Sequence, residues 1–155
     1  MEYLHQTVRD IMSRPARTVA PEMTLGDLLR LFSSNDFDAY PVVREEKLVG
    51  IVSRADSIKP FVIKGATNTL ESDAIMGTTV EQIMSSQVLT IELDATLEQA
   101  IGLMCARDFE SFPVVDQENR VRGMIARDDL VRALARSTWR TPLPLDLRPL
   151  GYAIA

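Results

Sequence analysis

An internal duplication constrains the fold of this chain more strongly than any other feature of its sequence. The segment V-R-D-I-M-S at residues 8–13 recurs 72 residues later as V-E-Q-I-M-S at residues 80–85. Further matches follow in the same order, with one residue inserted near Arg120: Thr18 with Thr90, Thr24 with Thr96, Phe37 with Phe109, residues 41–43 with 113–115, Gly50 with Gly123, Arg54 with Arg127 and Asp56 with Asp129. Matches that follow in one order along both halves indicate a duplication, so the chain is predicted to contain two copies of one structural unit.

Both copies contain the same order of predicted elements. In the first, an amphipathic turn at 7–12 and an extended segment at 16–19 precede a helix with Thr24 as N-cap and Asp27 as capping-box partner. Strands at 39–43 and 48–52 follow, and Ser53 is predicted to cap a second helix that starts near Arg54. The second copy repeats this order: an extended segment at 88–91, a helix capped by Thr96 and Gln99 that runs to about Arg107, strands at 112–116 and 121–125, and a helix at 127–135.

The predicted fold is a mixed α/β (α+β) structure of two β-α-β-β-α repeats. One copy of roughly 55 residues buries too little apolar surface to be stable alone, so we expect the two to pack by pseudo-twofold symmetry. The predicted parts are the first repeat at 7–60, a connector at 61–78, the second repeat at 79–136 and a tail at 137–155. The tail combines three prolines with Trp139 and several leucines, which favours an extended segment that docks on the protein.

Composition narrows the functional classes. With 17 basic and 22 acidic residues the formal net charge is −5, which disfavours general binding to DNA or anionic lipid. No apolar run approaches the roughly 18 residues of a membrane span and no signal peptide is apparent, so we expect a cytoplasmic location. His5 and Cys105 are the only histidine and cysteine. We therefore expect no metal site and no catalytic residue, with Cys105 in the core or on a helix face.

The two copies resemble the repeats of tandem CBS-domain proteins, the pairs first named from cystathionine β-synthase and also called Bateman modules. The resemblance lies in V-x-x-I-M-S, a threonine at the end of the first strand, T-L before the first helix, and Y/F-P-V-V in the first hairpin. It is completed by the G-h-h-[ST]-x-x-D segment, which reads G-I-V-S-R-A-D at residues 50–56 and G-M-I-A-R-D-D at residues 123–129. Two complete copies in register are more specific than any one motif.

The resemblance implies a regulatory module rather than an enzyme. Members of the family bind an adenosine-containing ligand, such as AMP, ADP, ATP or S-adenosylmethionine, in clefts between the two repeats. The ligand is regulatory and no cofactor is required. We therefore expect a stand-alone module that forms a homodimer, mainly through its long helices, and signals through an effector protein or an oligomeric change. Neither a membrane nor a nucleic-acid partner is expected.

The two aspartates of this segment are the strongest candidates for ligand contacts. A carboxylate in the first turn of a helix accepts hydrogen bonds from the two vicinal hydroxyls of a ribose, and Asp56 and Asp129 both occupy such a position. The same helix N-terminus favours a phosphate. Ser53 would add a hydroxyl, and Arg54 and Arg127 would neutralise phosphate charge. The simpler interpretation is that each aspartate only complements the helix dipole.

The family pattern also implies a composite adenine slot beside each aspartate. The slot facing Asp56 would comprise Ile51 together with residues of the second repeat: Ser85, Val88, Thr90, Phe109 and Ser111. The slot facing Asp129 would comprise Met124 together with residues of the first repeat: Ser13, Ala16, Thr18, Phe37 and Ala39. For Phe37 and Phe109, plain core packing is an alternative of nearly equal weight.

The second copy departs from the family pattern at Ala126, where a serine or threonine is usual. The Asp56 cleft keeps its hydroxyl at Ser53 and is therefore predicted to bind the ligand more tightly. The departure also leaves open a dimeric assembly module whose clefts are degenerate. An enzyme would need an acid–base pair or a metal. A nucleic-acid binder would depend on basic residues of the last helix and tail, where a solvated face is the simpler interpretation: Arg127, Arg132, Arg136 and Arg140.

Overall fold

Apart from one additional helix in the predicted connector, the helices and short strands follow the order that the duplication predicts. The structure is a computed structural model that describes residues 6–64 and 69–136, so His5 and the tail lie outside the described residues. The helices are α1 (Val8–Ile11), α2 (Leu25–Ser34), α3 (Arg54–Lys64), α4 (Thr69–Met76), α5 (Val80–Ile83), α6 (Leu97–Ala106) and α7 (Arg127–Arg136). The strands are β1 (Ala39–Arg44), β2 (Lys47–Ser53), β3 (Ile91–Glu92), β4 (Ser111–Val115) and β5 (Val121–Ala126). The fold is mixed α+β, which confirms the predicted class.

Two small sheets are described. β1 and β2 pair antiparallel, from Ala39 opposite Ser53 to Arg44 opposite Lys47, and Val19 adds a single parallel bridge to Val42. The second sheet has the order β3-β4-β5, with β3 parallel to β4. The extended segment predicted at the start of each copy therefore reaches a sheet. It contributes one bridge in the first copy and a two-residue strand in the second.

The predicted N-caps form, although not identically. Thr96 Oγ1 accepts from the backbone N–H of Gln99 at 3.1 Å, and the Gln99 side chain accepts from the backbone N–H of Thr96 at 2.9 Å, which is a complete capping box. Thr24 Oγ1 likewise accepts from the backbone N–H of Asp27, at 3.3 Å. The Asp27 carboxylate, however, accepts from Arg30 at 2.6 Å. The first copy thus has the cap without the reciprocal bond that the sequence predicted.

The chain divides into two compact units, which we name after the aspartate that each contains. The Asp56 unit comprises Arg17–Val88 and Asn119–Val121. The Asp129 unit comprises Leu89–Glu118 with the described parts of Met1–Ala16 and Arg122–Ala155. These units differ from the sequence copies, because α1 of the first copy belongs to the Asp129 unit and α5 of the second copy belongs to the Asp56 unit.

Matching backbone hydrogen bonds anchor both exchanged helices. The first two backbone amides of α1 donate to carbonyl oxygens in the segment just before α6. Those of α5 donate in the same way to the segment just before α2. The four bonds are Val8 N to Ala95 O (2.8 Å), Arg9 N to Leu93 O (3.0 Å), Val80 N to Met23 O (2.8 Å) and Glu81 N to Pro21 O (3.0 Å). Val8 and Val80 are fully buried, each in the core of the unit it joins. Backbone hydrogen bonds and apolar burial therefore both keep α1 and α5 in the units that they join.

The predicted connector contains a helix that the sequence did not indicate. α4 lies within residues 61–78, and its Ile75 is buried in the core of the Asp56 unit with Leu25, Leu28 and Val80. α3 extends to Lys64 with Pro60 inside it. Within the described residues, no helix is long and apolar enough to cross a membrane.

Candidate functional site

The first candidate site lies where β2 ends and α3 begins. Asp56 sits in the first turn of α3, and its Oδ2 accepts hydrogen bonds from the backbone N–H and the hydroxyl of Ser53, both at 2.9 Å. Ser53 Oγ in turn accepts from the backbone N–H of Asp56 at 3.1 Å. The other carboxylate oxygen, Oδ1, accepts from Lys59 Nζ at 2.7 Å. Three donors thus fix the orientation of this carboxylate.

These donors also set the protonation state of Asp56. Burial alone would raise the pKa of the Asp56 carboxyl, but the hydrogen bonds from Lys59 and Ser53 outweigh it and lower the pKa below its ordinary value. The carboxylate is therefore ionised at neutral pH and is a hydrogen-bond acceptor only. A ribose, which offers two hydroxyl donors, matches such a group chemically.

The second candidate site repeats this geometry where β5 ends and α7 begins. Asp129 Oδ2 accepts from the backbone N–H of Ala126 at 2.8 Å, and Oδ1 accepts from Arg132 at 2.6 Å. Because Ala126 has no hydroxyl, the third donor is Ser13 Oγ of the exchanged N-terminal segment, at 3.4 Å from Oδ1. The Asp129 side chain is 6% exposed, against 15% for Asp56. Both aspartates are thus held by a backbone amide and by a cation three residues later.

A close backbone approach explains why both copies carry glycine at the start of the G-h-h-[ST]-x-x-D segment. A Cβ on Gly50 would collide with the Met84 side chain and lie 2.9 Å from Ser85 O. A Cβ on Gly123 would lie 2.7 Å from Ser13 O and collide with Met12 in the same way. The glycine of one copy and the Met-Ser pair of the other are therefore two halves of one packing contact.

The same contact pairs predicted slot residues with each other in both units. In the Asp56 unit, Ile51 and Ser85 exchange two backbone hydrogen bonds, both of 2.9 Å. In the Asp129 unit, Met124 and Ser13 do the same at 3.0 and 2.9 Å. Val88 belongs to the Asp56 unit and Ala16 to the Asp129 unit, as their predicted slots require.

The remaining predicted slot residues belong to the opposite units. Thr90, Phe109 and Ser111, which were assigned to the Asp56 slot, lie in the Asp129 unit. Thr18, Phe37 and Ala39, which were assigned to the Asp129 slot, lie in the Asp56 unit. The composite character of each slot therefore stays a prediction.

The two phenylalanines are surface residues rather than core residues. Phe37 is 42% exposed and packs edge-on against the buried Tyr40, with 5.7 Å between ring centroids. Phe109 is 51% exposed and packs in the same way, at the same distance, against Phe112. Each ring is thus held by a core aromatic yet leaves much of its surface available for contact.

The two arginines that the sequence assigned to phosphate already have partners within the protein. Arg54 donates to the backbone carbonyl oxygens of Phe37 at 2.7 Å and Asn35 at 2.6 Å, so it holds the segment between α2 and β1. Arg127 donates to the carboxylate of the exposed Asp108 at 3.0 Å. The cations nearest the two aspartates are instead Lys59 and Arg132, which sequence reasoning did not assign. Their spacing of three residues from each aspartate was the available signal.

The Ser53 hydroxyl caps α3, as the sequence predicted, and its contact with a ligand stays a prediction. It donates to Asp56 and accepts from the Asp56 amide, so its only proton is used within the cap. A ligand would have to compete with these bonds for the hydroxyl, so the ranking of the Asp56 cleft above the Asp129 cleft stays a prediction. Cys105 is exposed on α6. The part of the chain that the structure describes contains no group of three or more metal-binding side chains.

Known proteins identify this arrangement. The chain is 29% identical over 134 residues to the uncharacterized protein MJ1225 of Methanocaldococcus jannaschii. The matched region covers 84% of this chain but only 48% of MJ1225. The crystal structure of MJ1225, described as a putative archaeal homologue of γ-AMPK, matches with a TM-score of 0.73. The CBSX2 complex with AMP matches at 27% identity and a TM-score of 0.71, covering 84% of this chain and 96% of CBSX2.

A third structure carries different ligands. The CBS domain pair of MJ0100, in complex with 5′-methylthioadenosine and S-adenosyl-L-methionine, matches at 25% identity and a TM-score of 0.66, covering 84% of this chain and 96% of that one. The family model for the CBS domain matches twice, over residues 8–56 and 80–136. Each match contains one of the two aspartates, Asp56 in the first and Asp129 in the second. The chain belongs to the CBS-domain family, and its two copies form a tandem CBS pair, or Bateman module.

Proposed function

We propose that this chain is a regulatory module that binds an adenosine-containing ligand through Asp56 and Asp129 and transmits its occupancy to a partner protein or to its own oligomeric state. The observation that carries the proposal is the repeated placement of the two carboxylates. Each lies in the first turn of a helix, largely buried, with one oxygen fixed by the backbone amide three residues before it. The other oxygen faces an exposed cation.

This geometry favours ribose recognition over a purely structural role. Asp27 is a first-turn aspartate as well, with a similar cation at 2.6 Å, but its side chain is 58% exposed, against 15% for Asp56 and 6% for Asp129. Asp56 and Asp129 are shielded, which strengthens hydrogen bonds to a charged acceptor. The ligands named for CBSX2 and MJ0100 share adenosine, which supports the same class here.

Calorimetric titration with AMP, ATP and S-adenosylmethionine tests the proposal. We expect saturable binding of at least one of them, weakened by about one to two decades in Asp56→Asn or Asp129→Asn, since a hydrogen bond to a charged group is worth about 1.5–3 kcal/mol. Asp27→Asn is the matched control and should bind like the unmodified chain. Absence of binding by all three compounds would reject the proposal.

We also propose a homodimer that forms through the long helices. Apolar side chains are exposed on α3 and α7: Ile58, Val62 and Val131. Beside Val131, an apolar groove of about 460 Å³ runs between α6 and α7, with Ile101, Cys105 and Leu134 among its lining residues. Exposed apolar patches of this kind are usually covered. Sedimentation should give twice the mass of one chain, and Val131→Asp should shift the measured mass toward that of a single chain.

A second candidate function is an assembly module with unoccupied clefts. It is favoured by the three donors that already surround Asp56, because a ribose must compete with them. On this alternative the chain would dimerise normally and bind no adenosine compound.

A further inference from the structure

We propose that the C-terminal tail, residues 137–155, docks in the apolar groove between α6 and α7 of its own chain, through Leu143, Leu145 and Leu147. This contact is independent of ligand binding. The described part of the chain ends with α7 at Arg136, and the lining of the groove reaches Leu134, two residues earlier. The tail therefore begins next to the groove that it would fill.

The groove is suited to an apolar occupant. Its volume is about 460 Å³, and its apolar lining comes from both helices: Ile101, Met104, Leu130, Val131 and Leu134. The two charged residues in the lining, Asp108 and Arg127, are paired with each other at 3.0 Å. Because their charges already balance, the groove attracts an apolar segment rather than an ion.

The duplication shows why this groove is open in the second copy. In the Asp56 unit, Arg54 packs over the Phe32 ring, 5.2 Å from its centroid, and so lies between α2 and α3. In the Asp129 unit, Met104 stands at the position equivalent to Phe32, and Arg127 donates to Asp108 instead. The second copy has thus lost an internal contact between its two helices, and another segment can take that place.

The first copy also provides a precedent for a segment that packs back on its own unit. The connector follows α3 as the tail follows α7. Its helix α4 returns to the Asp56 unit, where Ile75 is buried with Leu25 and Leu28 of α2. The tail would do the same for the Asp129 unit.

The pattern of the tail matches the groove in chemistry and in length. Residues 143–147 read L-P-L-D-L, and an extended segment of this kind would place its three leucines on one side and its proline and aspartate on the other. The three leucines would span about 13 Å. The lining of α6 covers residues 101–108, which corresponds to about 10 Å along the helix axis.

The length of the connection favours the tail of the same chain over that of a second copy. Residues 137–142 can span up to about 20 Å when extended, which is enough to turn back from the end of α7. A segment tethered this closely meets its own groove at about millimolar effective concentration, far above that of a second chain in a micromolar solution. In the homodimer proposed above, the second copy would then contact the exposed faces of α3 and α7 while the tail fills the groove.

The reactivity of Cys105 tests whether the tail covers the groove. Cys105 is the only cysteine of the chain and lies in the groove lining, so its rate of reaction with N-ethylmaleimide, followed by mass spectrometry, reports coverage. Replacing the three leucines in the full chain, by Leu143→Ser, Leu145→Ser and Leu147→Ser together, should raise this rate about tenfold or more, because burial of even one leucine favours docking by that factor. Asp146→Ser with Arg148→Ser is the matched control, since it alters the other side of the same segment, and it should leave the rate unchanged.

A disulfide test identifies which chain provides the tail. Diamide oxidises two thiols to a disulfide and is itself reduced to the hydrazine. In the Leu145→Cys chain, we expect a bridge from the introduced thiol to Cys105 within one chain, because the two Cα atoms would lie within the reach of about 7 Å that a disulfide needs. Asp146→Cys, on the other side of the segment, should bridge more slowly. A denaturing gel without reductant separates single chains from linked pairs.

The results that would overturn the proposal are distinct. If the triple serine variant reacts no faster than the unmodified chain, the tail does not cover the groove: a fast rate in both means an open groove, and a slow rate in both means another cover, such as a second copy. A bridge between two chains would overturn docking on the same chain. Circular dichroism melting confirms that each variant is folded. The calorimetry described above tests ligand binding separately, so either proposal can fail alone.

Discussion

The two units hold the same carboxylate with different hydroxyl groups. In the Asp56 unit the hydroxyl comes from Ser53, within the same turn, at 2.9 Å. In the Asp129 unit that position is Ala126, and the hydroxyl comes from Ser13 of the exchanged segment, at a longer 3.4 Å. The backbone amide and the cation are common to both sites. The comparison teaches that the helix start and the cation position the carboxylate, whereas the hydroxyl is interchangeable.

The units also differ in the sign of the charges that attach their exchanged helices. In the Asp56 unit, Glu81 of α5 accepts from Arg44 at 2.9 Å. In the Asp129 unit, Arg9 of α1 donates to Asp94, also at 2.9 Å. Arg9 and Glu81 are equivalent positions of the two copies. The duplication has therefore kept the exchange while its ion pairs have reversed.

The largest expected effect tests the close approach that both units share. Gly50→Ala and Gly123→Ala should each destabilise the protein by about 1–3 kcal/mol, because the added methyl meets a backbone carbonyl and a methionine sulfur. Gly26→Ala is the control, since its Cβ would find ordinary contacts at 3.6 Å or more on α2. Urea unfolding measures all three. Equal stability of Gly50→Ala and Gly26→Ala would contradict the packing argument.

Ligand binding gives the next effect and reverses the ranking that the sequence suggested. Asp56 already accepts from three donors at 2.7–2.9 Å, whereas the third donor to Asp129 is the long 3.4 Å bond from Ser13. A ribose therefore displaces less at Asp129. We expect Asp129→Asn to lower the affinity of the tighter binding phase of AMP by about tenfold or more. Asp56→Asn should lower the affinity of the weaker phase by a similar factor.

Calorimetry with enough protein to separate two phases measures this ranking. If Asp56→Asn removes the tighter phase instead, the hydroxyl of Ser53 serves the ligand after all, as the sequence alone suggested. Identical affinities at the two sites would show that neither hydroxyl matters.

Some of these features could be predicted from the sequence and others depend on the fold. The caps at Thr96 and Ser53 follow from residues three apart, so local patterns suffice. The exchange of α1 and α5 does not, because V-x-x-I-M-S is the same in both copies and cannot indicate which core receives it. Lys59 and Arg132 were visible only as basic residues on a helix. Their contact with the two aspartates depends on where the aspartate side chains lie, which the fold determines.

A smaller effect separates the capping role of Ser53 from a ligand role. Ser53→Ala should lower stability by about 1 kcal/mol and leave AMP affinity within about twofold, because the hydroxyl serves the α3 cap. Ala126→Ser should raise the stability by a similar amount, because it adds a cap hydroxyl at the start of α7. Thermal unfolding and calorimetry on the same samples measure both properties. A loss of affinity in Ser53→Ala without a loss of stability would assign the hydroxyl to the ligand.

The smallest effect tests whether the reversed ion pairs help to select the exchange. Arg9→Glu should cost about 0.5 kcal/mol by opposing Asp94, and Glu81→Arg should cost a similar amount by opposing Arg44, because the four side chains are 47–77% exposed and surface pairs are weak. The informative variant carries both changes. It gives α1 the charge of α5 and α5 the charge of α1, so each helix would match the unit that it does not occupy.

If the charges only add surface stability, the double variant should lose the sum of the two single effects, because the two sites share no partner. If they select the partner, the double variant should instead recover stability by placing each helix against its own copy. Thr24→Cys and Thr79→Cys, which replace two residues that face each other in an antiparallel bridge, report the pairing through disulfide formation in a chain whose Cys105 is replaced by serine. We expect additive losses and an unchanged pairing, because burial of Val8 and Val80 and four backbone hydrogen bonds outweigh two exposed ion pairs.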